Sequence, residues 1–321
     1  MILLMLTFTE AKEKTIDTSP LKLAVKPKCG TLESPRFNNF NTGINLDDIK
    51  TIYGFGDSFM ANGQQQGGVA PPLVPNKQNP KNPKIGGRAS NGMVYIEQFG
   101  KEINAVVRDY ARGGASVSHL LSPTNITQSD MIEHVQVFLD QHNNITAAST
   151  LVMISYGIND WASASRRGEH NLTGSARKLI HETKRLLKSG FRNVVVLSPP
   201  MISEPLEGFN NLIWNDLKIL REKFPSTQIG YVDFSELYTA IFSDPQSFGY
   251  QHTTSCLKNQ TTIEGACSNP DVYLHYLPGH PQKLTHGLMA EWAYDVLTTC
   301  TSDSTKPHIH TTKAPTLQVS R

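Results

Sequence analysis

Five short apolar runs alternate along this chain with segments of helical length, and that alternation constrains the fold more than any other feature. The runs are Thr51 to Phe55, Ala105 to Ala111, Thr150 to Tyr156 (TLVMISY), Asn193 to Leu197 (NVVVL) and Gln228 to Phe234 (QIGYVDF). Runs this short, rich in Val and Ile, read as buried strands. Helices are expected over Asn91 to Ile103, Ser129 to Asp140, Gly174 to Lys188, Phe209 to Phe224 and His286 to Leu297. Strands separated by helices predict a parallel sheet with helices on both faces. In such open α/β sheets the ligand crevice lies beyond the C-terminal strand ends. The residues just after each run are therefore the ones to interrogate.

Gly56-Asp57-Ser58 follows the first run. A serine on a strand-to-helix turn is exposed and can act as a nucleophile; an ordinary helix cap is the alternative. Arg112-Gly113-Gly114-Ala115-Ser116 follows the second run, where paired glycines allow the backbone to approach a ligand closely. A backbone N–H at Gly114 can stabilise an oxyanion, and a tight turn is the competing reading. Tyr156-Gly157-Ile158-Asn159-Asp160 follows the third run. The Asn159 amide is a neutral donor suited to a developing alkoxide, or else a cap for the next helix. Near the C-terminus, His280 in Gly279-His280-Pro281 can serve as a general base from a loop. Each signal is modest alone. In this order they bring a serine, two oxyanion donors and a base to one crevice.

The same residues resemble the SGNH (GDSL) hydrolase family, in its lipase and carbohydrate acetylesterase-like branch. The matching blocks are Gly56-Asp57-Ser58, Gly114 in ARGGAS, Gly157-Ile158-Asn159-Asp160 and His280-Pro281. Ser90 to Glu97 and the segment Cys267-Ser268-Asn269-Pro270-Asp271 also fit the branch. The resemblance covers about residues 50 to 299. It implies a three-layer α/β/α sandwich with a five-stranded parallel sheet of flavodoxin-like type. It also implies ester or acyl hydrolysis without metal or organic cofactor, with Ser58 and His280 catalytic and Ser58, Gly114 and Asn159 forming the oxyanion hole. Asp57 and Asp160 are expected to brace their loops, and His286 to be structural.

One position departs from the family pattern. The family usually carries Asp three residues before the histidine, where this chain has Leu277. Leucine cannot orient or charge-stabilise an imidazole. Three alternatives follow: a backbone carbonyl holds His280 in a Ser-His dyad, another carboxylate such as Asp271 substitutes, or the protein is a weakened, non-catalytic relative that binds ligands. The polar segment Gly63 to Arg88 reads either as a substrate-facing loop or as a surface insertion. Its polarity tilts the substrate toward short acyl groups, such as acetyl on carbohydrates; a lipase or lysophospholipase acting on longer chains is the alternative.

The domain is expected to span residues 49–300. Before it, residues 1–48 read as a signal segment and an irregular N-terminal arm; after it, residues 301–321 read as a disordered Thr/Ser-rich tail whose His308 and His310 are solvated. The start, MILLMLTFT, is consistent with a short or truncated signal peptide, an unstructured start being the alternative. Four cysteines permit three pairings. Cys256 and Cys267 are close in sequence and bracket a polar loop before His280, so they are expected to pair, which leaves Cys29 with Cys300. Asn-X-Ser/Thr sequons at Asn125, Asn144, Asn171 and Asn259, with the cysteines, favour a secreted glycoprotein. No Cys/His spacing fits zinc, and no glycine-rich nucleotide fingerprint follows the first strand. Lys plus Arg number 30 against 28 Asp plus Glu, a balance that lacks the basic field a nucleic-acid binder needs. No apolar run reaches the length of a membrane span. The oligomeric state is not legible in the sequence.

Overall fold

A computed structural model of the chain describes residues 20–123 and 129–301. The signal-like start, the sequon at Asn125, and His308 and His310 of the tail lie outside the described residues. The central sheet has six strands, in the order β1-β6-β5-β4-β2-β3. These are β1 (Phe40–Asn41), β2 (Thr51–Gly56), β3 (Val106–Asp109), β4 (Thr150–Ser155), β5 (Asn193–Leu197) and β6 (Gln228–Val232). Strands β2 to β6 are the five expected runs, and all neighbouring pairs among them are parallel. The correction to the five-stranded expectation is β1, which pairs antiparallel with β6 through Phe40–Tyr231 and Asn41–Gly230. Two residues carry no readable periodicity, so only tertiary pairing reveals this edge strand.

Strand side chains alternate between two cores, as a pleated backbone dictates. Ile52, Leu151, Met153, Val195 and Leu197 join one core with α1 (Tyr95–Glu102), α6 (Phe234–Ser243) and α7 (Lys283–Thr299). Tyr53, Phe55, Val152, Ile154, Val194 and Val196 join the other, with α2 (Met131–Asp140), α4 (Thr173–Lys188) and α5 (Glu204–Lys223). The inner strands β2, β4, β5 and β6 are buried on both faces, which is why they read as near-continuous apolar runs; β3, at the edge, is largely exposed. The three-layer α/β/α sandwich is therefore as expected.

The stretch before residue 49 packs onto this sandwich. Leu21, Ile44 and Leu46 are buried in one core, and Phe37 and Phe40 in the other. The sulfurs of Cys29 and Cys300 are 1.94 Å apart, linking this stretch to the end of α7. Two helices were not legible. Helix α3 (Ile158–Arg166) starts at the residues read as a strand-end turn, and α6 follows β6 directly. The run read as strand to Phe234 stops at Val232 because Asp233 caps α6, accepting from Ser235 N at 2.9 Å. A small second sheet pairs β7 (His252–Ser255) with β8 (Tyr273–His275) just ahead of the His280 loop. Among the described residues no helix is long and apolar enough to cross a membrane.

Candidate active site

Ser58 follows β2 at the C-terminal edge of the sheet, on a turn held by Asp57. The Asp57 carboxylate accepts from Phe59 N at 2.9 Å, and its carbonyl accepts from Met60 N and Ala61 N. Burial, with a contribution from neighbouring Asp160, pushes the Asp57 carboxyl up to about 7. Asp57 is thus committed to the backbone of its own loop.

The second and third blocks are tied to each other. Gly114 has φ +80°, a conformation that costs an L-residue with a Cβ. Asn159 Nδ2 donates to Ala115 O at 2.9 Å, and an amide nitrogen has a second hydrogen to offer. Asp160 is fully buried and accepts from Val117 N at 3.0 Å, so it fastens α3 to the glycine loop. Gly113 lies against the nucleophile turn, since a Cβ built on it would sit 3.8 Å from Ser58 Cβ.

His280 arrives from the opposite side on a tight turn. Its N–H donates to Leu277 O at 2.9 Å, Pro278 and Gly279 occupy the turn centre, and Gly279 has φ +72°. Proline followed by a positive-φ glycine is the signature of a type II turn. The imidazole Nδ1 lies 3.1 Å from Pro278 O, and Nε2 lies 2.8 Å from Ser58 Oγ. A carbonyl can only accept, so Nδ1 carries the proton and Nε2 offers its lone pair to the Ser58 hydroxyl. The Phe59 ring stacks on the imidazole with centroids 5.6 Å apart. Burial holds the His280 imidazole below the usual histidine range; the Pro278 bond opposes this, and the Lys84 charge adds to it.

Position 277 explains why no carboxylate is present. The Leu277 side chain is fully buried with Ala89, Cys256, Leu257 and Tyr276. The Asp271 carboxylate faces Lys283 Nζ at 3.1 Å instead of His280. Of the three arrangements the sequence left open, the backbone carbonyl is the one that contacts Nδ1. Cys256 and Cys267, with sulfurs 2.07 Å apart, clasp the loop beside this turn. His286 is buried, accepts from Tyr95 N at 3.2 Å and stacks on the Tyr95 ring, so its Nδ1 is committed to the start of α1.

One depression holds this pair, and a second is lined by their chain neighbours Phe59 and Gly279. A polar cleft of about 370 Å³ is lined by Ser58, Gly114, Asn159 and His280, and by Gln65 and Lys84 from the polar insertion. The insertion therefore borders the crevice. The second, an apolar groove of about 570 Å³, is lined by Phe59, Ile158, Trp161, Tyr238, Phe242 and Gly279 among others. Sequence reasoning missed this groove because its walls come from α3, α6 and the His280 turn, which are distant in the chain. It also missed Arg88, which is 1% exposed and pairs with Glu97 through Nε–Oε2 at 2.7 Å and Nη2–Oε1 at 2.6 Å. Among the described residues no group of three or more His, Cys, Asp or Glu is placed to hold a metal ion. Asn144, Asn171 and Asn259 are all exposed.

Comparison with solved structures finds similar folds at low identity. A lipolytic G-D-S-L family protein from Veillonella parvula is 17% identical with a TM-score of 0.42, covering 78% of this chain and 99% of that one. The acetyl xylan esterase AlAXEase is 14% identical with a TM-score of 0.42, covering 77% and 99%. A carbohydrate esterase family 2 enzyme with a carbohydrate binding domain, from Corynascus thermopiles, is 15% identical with a TM-score of 0.45, covering 78% and 66%. A comparison with curated proteins finds no match. The profile of the GDSL-like lipase/acylhydrolase family matches residues 52–293, a span that holds Ser58, Gly114, Asn159 and His280, and the chain belongs to that family of ester-bond hydrolases.

Proposed function

We propose that the protein is a serine esterase that works with a Ser58–His280 dyad. Ser58 Oγ attacks the ester carbonyl while His280 Nε2 takes its proton. The tetrahedral oxyanion is held by the backbone N–H groups of Ser58 and Gly114 and by the Asn159 amide. His280 then protonates the leaving alcohol, and a water activated by the same imidazole releases the acid. The observation that carries this reading is the 2.8 Å contact from Ser58 Oγ to His280 Nε2, with Nδ1 engaged by the Pro278 carbonyl. That carbonyl orients the ring and sets its tautomer, but it supplies no countercharge.

The polar cleft around Ser58 supports an acyl ester of a polar alcohol, with acetyl groups on carbohydrates as the favoured case. The apolar groove lined by Phe59 supports a second reading, in which a longer acyl chain lies there, as in a lipase or lysophospholipase. An ester series of increasing chain length separates them: maximal kcat/KM at acetyl supports the first, and a maximum at long chains the second. Ser58→Ala should lower turnover at least ~10³-fold and abolish labelling by a fluorophosphonate, with thermal stability unchanged. Equal turnover in that variant would remove the nucleophile assignment. Failure of the folded wild-type protein to label would favour a ligand-binding role. The two cysteine pairs and the exposed sequons support residence in an oxidising, extracytoplasmic compartment as a glycoprotein.

A further inference from the structure

The cleft beside Ser58 carries positive charge that the ester chemistry does not use. Lys84 and Arg112 both line it, and no Asp or Glu does. The acids next to the cleft residues in sequence, Asp57, Asp109 and Asp160, are buried and accept from backbone N–H groups. Among the described residues neither Lys84 nor Arg112 takes part in an ion pair. Arg112 is held instead by neutral partners: Nε donates to Gln65 Oε1 at 2.7 Å, Nη2 to the same oxygen, and Nη1 to Ser129 Oγ at 3.1 Å. The guanidinium is thus oriented without being neutralised.

Lys84 is delivered by a braced loop. Arg88, locked to Glu97, donates to Ile85 O, Gly86 O and Pro71 O, while Gly86 N donates to Val74 O at 3.2 Å. The insertion therefore presents its ammonium from a fixed arm. We propose that Lys84 and Arg112 form a cationic rim that selects esters carrying a negative charge, a carboxylate or a phosphate, on the polar half of the molecule.

This rests on the acylhydrolase reading and adds a specificity to it. The missing aspartate gives the selection a mechanistic consequence. During attack His280 becomes an imidazolium with only a carbonyl behind it, and Lys84 opposes that charge. A substrate anion seated against Lys84 offsets this repulsion and so stabilises the transition state more than the ground state.

The test uses two matched ester pairs: an acetylated neutral hexose against an acetylated hexuronate, and an acylglycerol against the same acylglycerol bearing phosphate. The wild-type protein should favour the anionic member of at least one pair by about tenfold in kcat/KM, and the pair that shows it identifies the carboxylate or the phosphate as the recognised group. Lys84→Gln should cut that ratio to about threefold and Lys84→Glu should invert it, and raising ionic strength from ~0.01 M to ~1 M should shrink it. Equal handling of both members in both pairs, or a preference unchanged in Lys84→Glu, would overturn the cationic rim while leaving the acylhydrolase reading intact. A wild-type protein that hydrolyses neither member of either pair would overturn both.

Discussion

Replacing Gly279 by alanine isolates the hydrogen bond that stands in for the absent carboxylate. Gly279 sits at φ +72°, and a Cβ built there meets nothing within 4 Å. Its effect is therefore purely conformational. An L-residue in this region costs about 1–2 kcal/mol. The turn can shed that strain only by rotating the Pro278–Gly279 peptide toward the type I arrangement, which swings the Pro278 carbonyl away from His280 Nδ1. Losing the partner of a part-buried N–H costs about 1–3 kcal/mol, felt most when the ring is charged, so kcat should fall ~10- to 100-fold. Steady-state hydrolysis of a chromogenic acetyl ester measures this, alongside a thermal melt expected to fall by ~2–4 °C per kcal/mol of strain. Asparagine, which tolerates the left-handed region, should retain more activity than alanine. An alanine variant with wild-type kcat would refute the reasoning that the Pro278 carbonyl holds the imidazole.

Three further outcomes follow from the same structure. Because burial and Lys84 depress the His280 imidazole, the acid limb of kcat/KM should lie below the ordinary histidine value of 6.5; Lys84→Gln should move it upward, and a limb above 7 would contradict the assignment of His280 as the base. Buried His286 is lowered to about 3, so the unfolded chain binds a proton that the folded one refuses between about pH 3 and 6.5, and stability falls as pH drops through that window. His286→Gln should reduce this acid sensitivity by ~1.4 kcal/mol per pH unit in denaturant titrations, whereas parallel curves for the two proteins would show that His286 does not contribute. Replacing Cys256 and Cys267 together by serine opens a loop of sequence separation 11 and should cost about 3 kcal/mol, read as a shift of the denaturation midpoint under non-reducing conditions; an unchanged midpoint would show that this bridge does not stabilise the fold.

The layers of the fold and most of the site were legible because their signals are local. Four of the five parallel strands, β2, β4, β5 and β6, are buried along nearly their whole length and are written as apolar runs, whereas β3 at the sheet edge is largely exposed and is broken by Arg108 and Asp109. Each strand-end block follows its run within a few residues, so position along the chain alone singles out Ser58, Gly114 and Asn159. His280 was found by its flanking Gly and Pro. The expected link between Cys29 and Cys300, at a sequence separation of 271, follows by elimination once Cys256 and Cys267 pair through their closeness in sequence.

What the sequence left open depended on contacts between distant segments. Strand β1 is two residues long and exists because Tyr231 and Gly230 offer a sheet edge. The apolar groove needs α3, α6 and the histidine turn together, and no periodicity within one segment encodes that meeting. The sequence determined that position 277 could not carry a carboxylate. Only the tertiary structure decided what replaces it, because a backbone carbonyl is present at every residue and is chemically silent in a sequence. Which carbonyl reaches Nδ1 depends on a turn conformation, here one in which Pro278 and a positive-φ Gly279 aim the oxygen back at the ring.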